Sequence, residues 1–229
     1  MRLRSIAVTA VAASALAAVI APTAHAYDAD TYSYAAGHMI QPSDIPSALQ
    51  MKSAMGFTAN QNTDKVWLCS DGDTSIGYPG GTDVFYANYY GKSADQTTTL
   101  AESVMQYDSA TDAIKAFNSL KKQLKKCDGK SSGVETYEDG SSETWSRLVT
   151  SGSVPMVSVV GVDSQFLNIN YTNDSSGSNY DSDNYQVFTL LNDVIITTAY
   201  YTGVELNIST DKRKQVNQVA FNSVSRWLD

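Results

Sequence analysis

The segment Ser109 to Cys127, SATDAIKAFNSLKKQLKKC, constrains the fold more than any other part of this chain. Ala113, Phe117, Leu120, Leu124 and Cys127 recur at intervals of three and four, which predicts an amphipathic helix with its apolar stripe turned to a core. Ser109 suits the N-cap with Asp112 three residues on, acidic residues at the start and lysines at the end suit the helix dipole, and Asp128-Gly129 suits a stop. Lys115, Lys121, Lys122, Lys125 and Lys126 fill the other faces. They read as an anion-binding patch or as a solvated face, and an acidic chain favours the solvated face.

The chain begins with Arg2 and Arg4, an uncharged apolar run from Ile6 to Ile20, then Pro22 and Ala24-His25-Ala26. This is the pattern of an export signal cleaved after Ala26, so residues 1–26 are expected to be removed and the product secreted. The apolar run falls short of the roughly twenty residues that span a bilayer, and no stable membrane insertion is expected. Residues 27–40 are polar, tyrosine-rich and aperiodic, and read as a flexible leader. Residues 41–229 read as a single domain, long enough for a sizeable core.

The 16 basic residues, two of which leave with the signal, face 24 acidic ones, and this excess disfavours nucleic acid and anionic lipid as partners. A monomer is expected. In an exported chain Cys69 and Cys127 read as a disulfide rather than as catalytic thiols.

Ser43 to Leu49, with Pro46 in its first turn, reads as a short helix. Strand signals follow at Lys65 to Cys69, Thr82 to Tyr90 and Thr97 to Tyr107, with turn residues from Asp71 to Gly81. After the helix, Lys130 to Ser142 reads as a polar loop. Glu143 to Thr150, Val154 to Val162 and Gln165 to Thr172 read as strands, the last two joined through Asp163-Ser164, and Asn173 to Asn184 as a low-complexity turn. Tyr185 to Leu191 and Val194 to Tyr201 form a hairpin around Asn192-Asp193. A last helix, capped by Thr210 or Asp211, places Val216, Val219, Ala220, Ser223 and Trp227 on one face. The order predicts an α+β fold, an antiparallel sheet with two main helices packed on it.

Catalytic patterns are sparse. His25 lies in the export signal, which leaves His38 as the one histidine of the exported chain, so a histidine-based triad, a thiol–histidine pair and the usual zinc clusters lack parts. No G-x-S-x-G elbow, phosphate loop or dinucleotide turn is present, and no cofactor or metal is expected. The acidic residues Asp71, Asp73, Glu138, Asp139, Asp174, Asp181 and Asp183 suggest paired-carboxylate hydrolysis or calcium binding, but without a calcium loop's ligand spacing they read better as solvated turns. Tyr86, Tyr89 and Tyr90 are the candidate ligand-binding residues, as a tyrosine-lined cleft or simply as an amphipathic strand surface. Asn170, Asn173 and Asn207 open glycosylation sequons, of consequence only in a host that uses them.

Together, the export signal, the IQPSDIPSALQ segment, the strand ending in WLC and the run ESVMQYDSATDAIKAFNSLKKQLKKC resemble the PknH-like extracellular sensor-domain family of actinobacteria. That family occurs outside membrane-spanning kinases and in free secreted or lipoprotein forms. The resemblance covers roughly Gln41 to Trp227 and is carried mainly by Cys69 and the Met105 to Cys127 segment. It implies an antiparallel sheet with helices on it, a Cys69–Cys127 disulfide, Trp227 near the end of the closing helix and a cleft for an unidentified ligand. The chain departs from the family in lacking a second cysteine pair, a kinase domain and a membrane segment, so no direct signalling role is expected. The expectation is a secreted, non-catalytic module that binds a small molecule, peptide or envelope component. A secreted hydrolase using paired carboxylates and an extracellular interaction or inhibitor protein are the alternatives.

Overall fold

The computed structural model describes residues 29–51, 57–61, 65–66, 76–77, 83–91, 98–154, 162–175, 178–203 and 207–228. The export signal, Cys69, Asp71 and Asp73 lie outside these residues, as do most of the expected strands at Lys65 to Cys69 and Val154 to Val162. Among the described residues the elements run α1 (Ala29–His38), two 3-10 turns (Pro42–Asp44 and Ser47–Leu49), β1 (Phe57–Gln61), β2 (Lys65–Val66), β3 (Ile76–Gly77), β4 (Asp83–Tyr90) and β5 (Thr98–Gln106). There follow α2 (Ala110–Cys127), β6 (Gly129–Thr136), β7 (Ser142–Ser153), β8 (Asp163–Ser175), β9 (Ser178–Leu191), β10 (Val194–Thr202) and α3 (Thr210–Arg226).

Eight strands form one sheet in the order β1-β4-β5-β10-β9-β8-β7-β6, with every described pairing antiparallel, while β2 and β3 pair separately. Side chains alternate across a strand, so each central strand feeds two cores. In β10, Val194, Ile196 and Tyr200 join Val216, Val219, Ala220 and Val224 of α3 on one face. Ile195 joins Phe117, Leu120 and Leu124 of α2 on the other. The fold is therefore α+β as expected, but α2 and α3 cover opposite faces of the sheet. Strand β10, VIITTAYYT, is buried along nearly its whole length, as a strand covered on both sides is.

Helix α2 begins as its spacing predicts. The Ser109 Oγ accepts a hydrogen bond from the Asp112 N–H at 3.2 Å and donates one to the Asp112 carboxylate at 2.6 Å. Ala113, Ala116, Phe117, Leu120 and Leu124 are buried. The helix ends at Cys127, Asp128 turns out of it, and Gly129, whose φ of +131° lies where a side chain is strained, opens β6. No cysteine among the described residues is a free thiol, Cys127 included.

Several expectations need correction. Residues 29–38 of the expected flexible leader form α1, and Ala35, Met39 and Ile40 are buried in the α3-side core. Its periodicity is hidden because short and polar residues fill much of the helix and the apolar Met39 and Ile40 lie just past its end. The expected helix at Ser43 to Leu49 is two 3-10 turns, split at Ile45 and Pro46, whose extended backbones interrupt any helical ladder. The polar loop expected at Lys130 to Ser142 is mostly strand β6, paired with β7 through main-chain bonds that its Ser- and Gly-rich sequence does not advertise. The low-complexity turn expected from Asn173 to Asn184 is instead the joined ends of β8 and β9, paired as far as Ser175 and Ser178. Asp163 and Ser164 are not a turn but the first residues of β8, opposite Leu190 and Thr189. The cap of α3 is Ser209, whose Oγ accepts from the Lys212 N–H at 3.3 Å, one residue before the expected Thr210. The hairpin at Asn192-Asp193 forms as expected, with Leu191 opposite Val194 and Asn192 at φ +50°.

Candidate functional site

The three candidate tyrosines all lie on β4, where a two-residue period decides what they do. Tyr86 and Tyr90 share the α2 face, and Tyr89 points to the other face, 2% exposed. Tyr89 is therefore a core residue, and its hydroxyl donates to the Ile40 carbonyl at 2.6 Å. Tyr86 packs against the α2 core with its hydroxyl buried and without a hydrogen-bond partner. Tyr90 is half-buried at the end of the strand and lies opposite Thr99, which lies opposite Tyr201, which lies opposite Asn184. Each residue of this row is half-buried. The same row continues through Ile169 and Val149, which pack under α2. One half of the row is thus core, and the other presents two rings, a hydroxyl and an amide.

On the opposite face lies a charged constellation that the sequence reading did not single out. Strand β5, TTLAESVMQ, turns Leu100, Glu102 and Val104 toward α1 and α3, and Glu102 is 0% exposed. Its Oε2 accepts the Ile40 N–H at 2.6 Å. The Ser223 hydroxyl of α3 adjoins the carboxyl and Thr198 of β10 sits directly across the ladder. Burial pushes Glu102 up to about 7, against the opposing pull of Ser223, the Ile40 N–H and Arg226. Nearby, Arg226 donates from Nη1 to Asp44 Oδ1 at 2.7 Å and from Nη2 to the Met39 carbonyl at 2.8 Å, with a second bond to Asp44 Oδ2. The signal for Glu102 was an acid at an inward position between Leu100 and Val104, where period two demands a core residue.

A second buried acid, Asp183 on β9, accepts from Asn168 Nδ2 at 3.0 Å and from the Ile208 N–H, and so ties the segment before α3 to the sheet. Burial raises its pKa, with the Ile208 N–H and Arg213 acting against that shift. Asp139 accepts from both Ser141 N–H and Oγ in an exposed turn, which holds its carboxyl below the usual range, and Glu138 is exposed beside it. The side chains of Asp174 and Asp181 lie outside the described residues. His38 sits at the end of α1, its Nδ1–H donating to the Tyr34 carbonyl at 2.7 Å and its ring 3.9 Å from that of Tyr34. No group of three or more metal-ligating side chains occurs among the described residues, and no described helix is long and apolar enough to cross a membrane.

Glu102 and Asp44 are a carboxylate pair in unlike environments, but Glu102 is fully buried and Asp44, almost wholly covered, is clamped by Arg226. Their geometry is that of a structural joint.

An eight-stranded antiparallel sheet clasped between helices, with Glu102 and Asp183 buried in it, defines an α+β sheet domain. Residues 59–169 match the PknH-like extracellular domain family, so the resemblance read from the sequence is borne out over that segment. The fold is also similar to that of the extracellular domain of PknH from Mycobacterium tuberculosis, solved by crystallography, with a TM-score of 0.54 and 12% identity over 85% of this chain and 95% of that one. No curated protein matches the chain.

Proposed function

We propose that this protein is a secreted, non-catalytic sensor-like module that binds a small molecule, peptide or envelope component on the α2 side of its sheet. The reading is carried by the half-buried row of Tyr90, Thr99, Tyr201 and Asn184, with Tyr86 further along the strand on the same face. Tyrosines give large rigid contact area at low entropic cost, and flanking hydroxyl and amide groups orient what stacks on them. Kinship with a sensor-like extracellular family supports the same reading. Cleavage after Ala26 would release the module with Tyr27 as its first residue.

The test is native mass spectrometry of the protein recovered from its own culture medium, alongside Tyr90→Ala and Tyr201→Ala. A species bound to the unaltered protein and lost from both variants is the expected result. Retention in both variants, or an unaltered protein that carries nothing, would remove the basis of the proposal. N-terminal sequencing of the same sample checks the cleavage site.

A further inference from the structure

The joint around Glu102 is built in a way that a structural ion pair does not require. The carboxyl is fully buried, one oxygen holds the Ile40 N–H at 2.6 Å, and beyond that bond the carboxyl meets the Ser223 hydroxyl of α3. Thr198 Oγ1, directly across the ladder, is buried without a hydrogen-bond partner. A carboxylic acid suits such a place, because its O–H donates to a neighbouring hydroxyl oxygen. A carboxylate there has only neutral hydroxyls to offset its charge on that side. Arg226 gives limited relief, because it is engaged by both oxygens of Asp44 and by the Met39 carbonyl.

The amino-terminal segment lies directly against the carboxyl. Ile40 is gripped at both ends, its N–H by Glu102 and its carbonyl by Tyr89. Ala35, Met39, Ile40 and Leu49 dock on the same core.

We propose that Glu102 is a proton-operated latch: as the neutral acid it keeps α1 and Met39–Asp44 docked on the sheet, and as the anion it drives that segment off. Among the described residues, the charged and titratable groups facing it are Tyr89 of β4, Asp44 of the first 3-10 turn and Arg226 of α3; its strand neighbours Leu100 and Val104 are apolar. His38 points away, into the Tyr34 and Trp227 rings. The pKa of about 7 in the docked state stands above the ordinary value of 4.5, so the docked state binds the proton more tightly and docking weakens as pH rises between these values. The segment therefore reports external acidity near neutrality, independently of any ligand on the α2 face.

Amide hydrogen exchange of the secreted chain, corrected for intrinsic rates, tests this at pH 6 and pH 8. Protection of peptides covering Ala29–Asp44 should fall about tenfold from the lower to the higher pH while α2 peptides stay unchanged, as proton linkage to a group titrating in that range requires. Glu102→Gln, which mimics the neutral acid, should keep the protected level at both pH values. No fall in the unaltered protein, or the same fall in Glu102→Gln, overturns the latch. Carbon-13 titration of the Glu102 carboxyl in the unaltered protein gives a measurement that needs no variant. A midpoint at or above 6 supports the latch and one below 6 overturns it.

Discussion

Arg226 shows how much one side chain holds together. It reaches across 182 residues to clamp Asp44 with two hydrogen bonds and takes the Met39 carbonyl as well, with Asp44 almost wholly covered. Removing one member of a covered pair leaves the other charge without its partner, so Arg226→Ala should cost roughly 3 kcal/mol in urea unfolding, whereas an exposed pair such as Lys214–Asp211 is worth less than about 1 kcal/mol. A loss below about 1 kcal/mol for Arg226→Ala would show that the clamp is incidental. Two glycines make the complementary point. A Cβ on Gly152 would lie 2.8 Å from the Phe166 ring, and one on Gly133 would lie 2.9 Å from the Trp145 indole. Phe166 is packed on the core and stacked on Tyr185, while Trp145 sits on the outer β6–β7 hairpin where it has room to yield. Gly152→Ala should therefore destabilise by about 1–3 kcal/mol and Gly133→Ala by distinctly less, and the reverse order in melting would contradict the packing.

At the scale of elements, α2 is the part whose structure follows from its own spacing: apolar stripe, cap and stop are all local, and all three form as read. Its end is the site of the proposed Cys69–Cys127 disulfide. On the chain-entropy model a bond closing that loop stabilises by roughly 4 kcal/mol, so Cys127→Ser should lower the melting temperature markedly and make the melt insensitive to reductant. An unchanged melt would mean that the bond is absent or unimportant. Strand β6 is the opposite case. Its face toward solvent and its Ser- and Gly-rich sequence carry no apolar alternation, and it is a strand because β7 offers it a ladder. The tyrosines of β4 lie between these cases: the run TDVFYANYY announces a strand, but which tyrosine faces the core follows from the register with β5.

Across the whole molecule, buried acids set the response to pH. Glu102 and Asp183 both have pKa values raised by burial, so each contributes stability that is full below its unfolded value and is lost as pH rises through its folded value. Asp112 and Asp139 have the opposite sign, and their contribution is lost only in strong acid. Unfolding free energy should therefore fall from pH 5 to pH 8, by up to roughly 3 kcal/mol for Glu102 alone, since each tenfold difference in proton affinity between the folded and unfolded chain is worth about 1.4 kcal/mol. A rise over that range would refute it. The sequence by itself determined α2, the two-residue hairpin at Asn192-Asp193, the apolar face of α3 and the resemblance to an extracellular sensor-like family, because these rest on local periodicity, turn chemistry and a short motif. Tertiary structure alone decided that α1 is a docked helix, that α2 and α3 take opposite faces of the sheet, and that Tyr89 is core while Tyr90 is not. It also decided that Glu102 is sealed beneath Ile40, since each of these depends on a partner about 10 to 180 residues away, and a pattern read along the chain does not contain its partner.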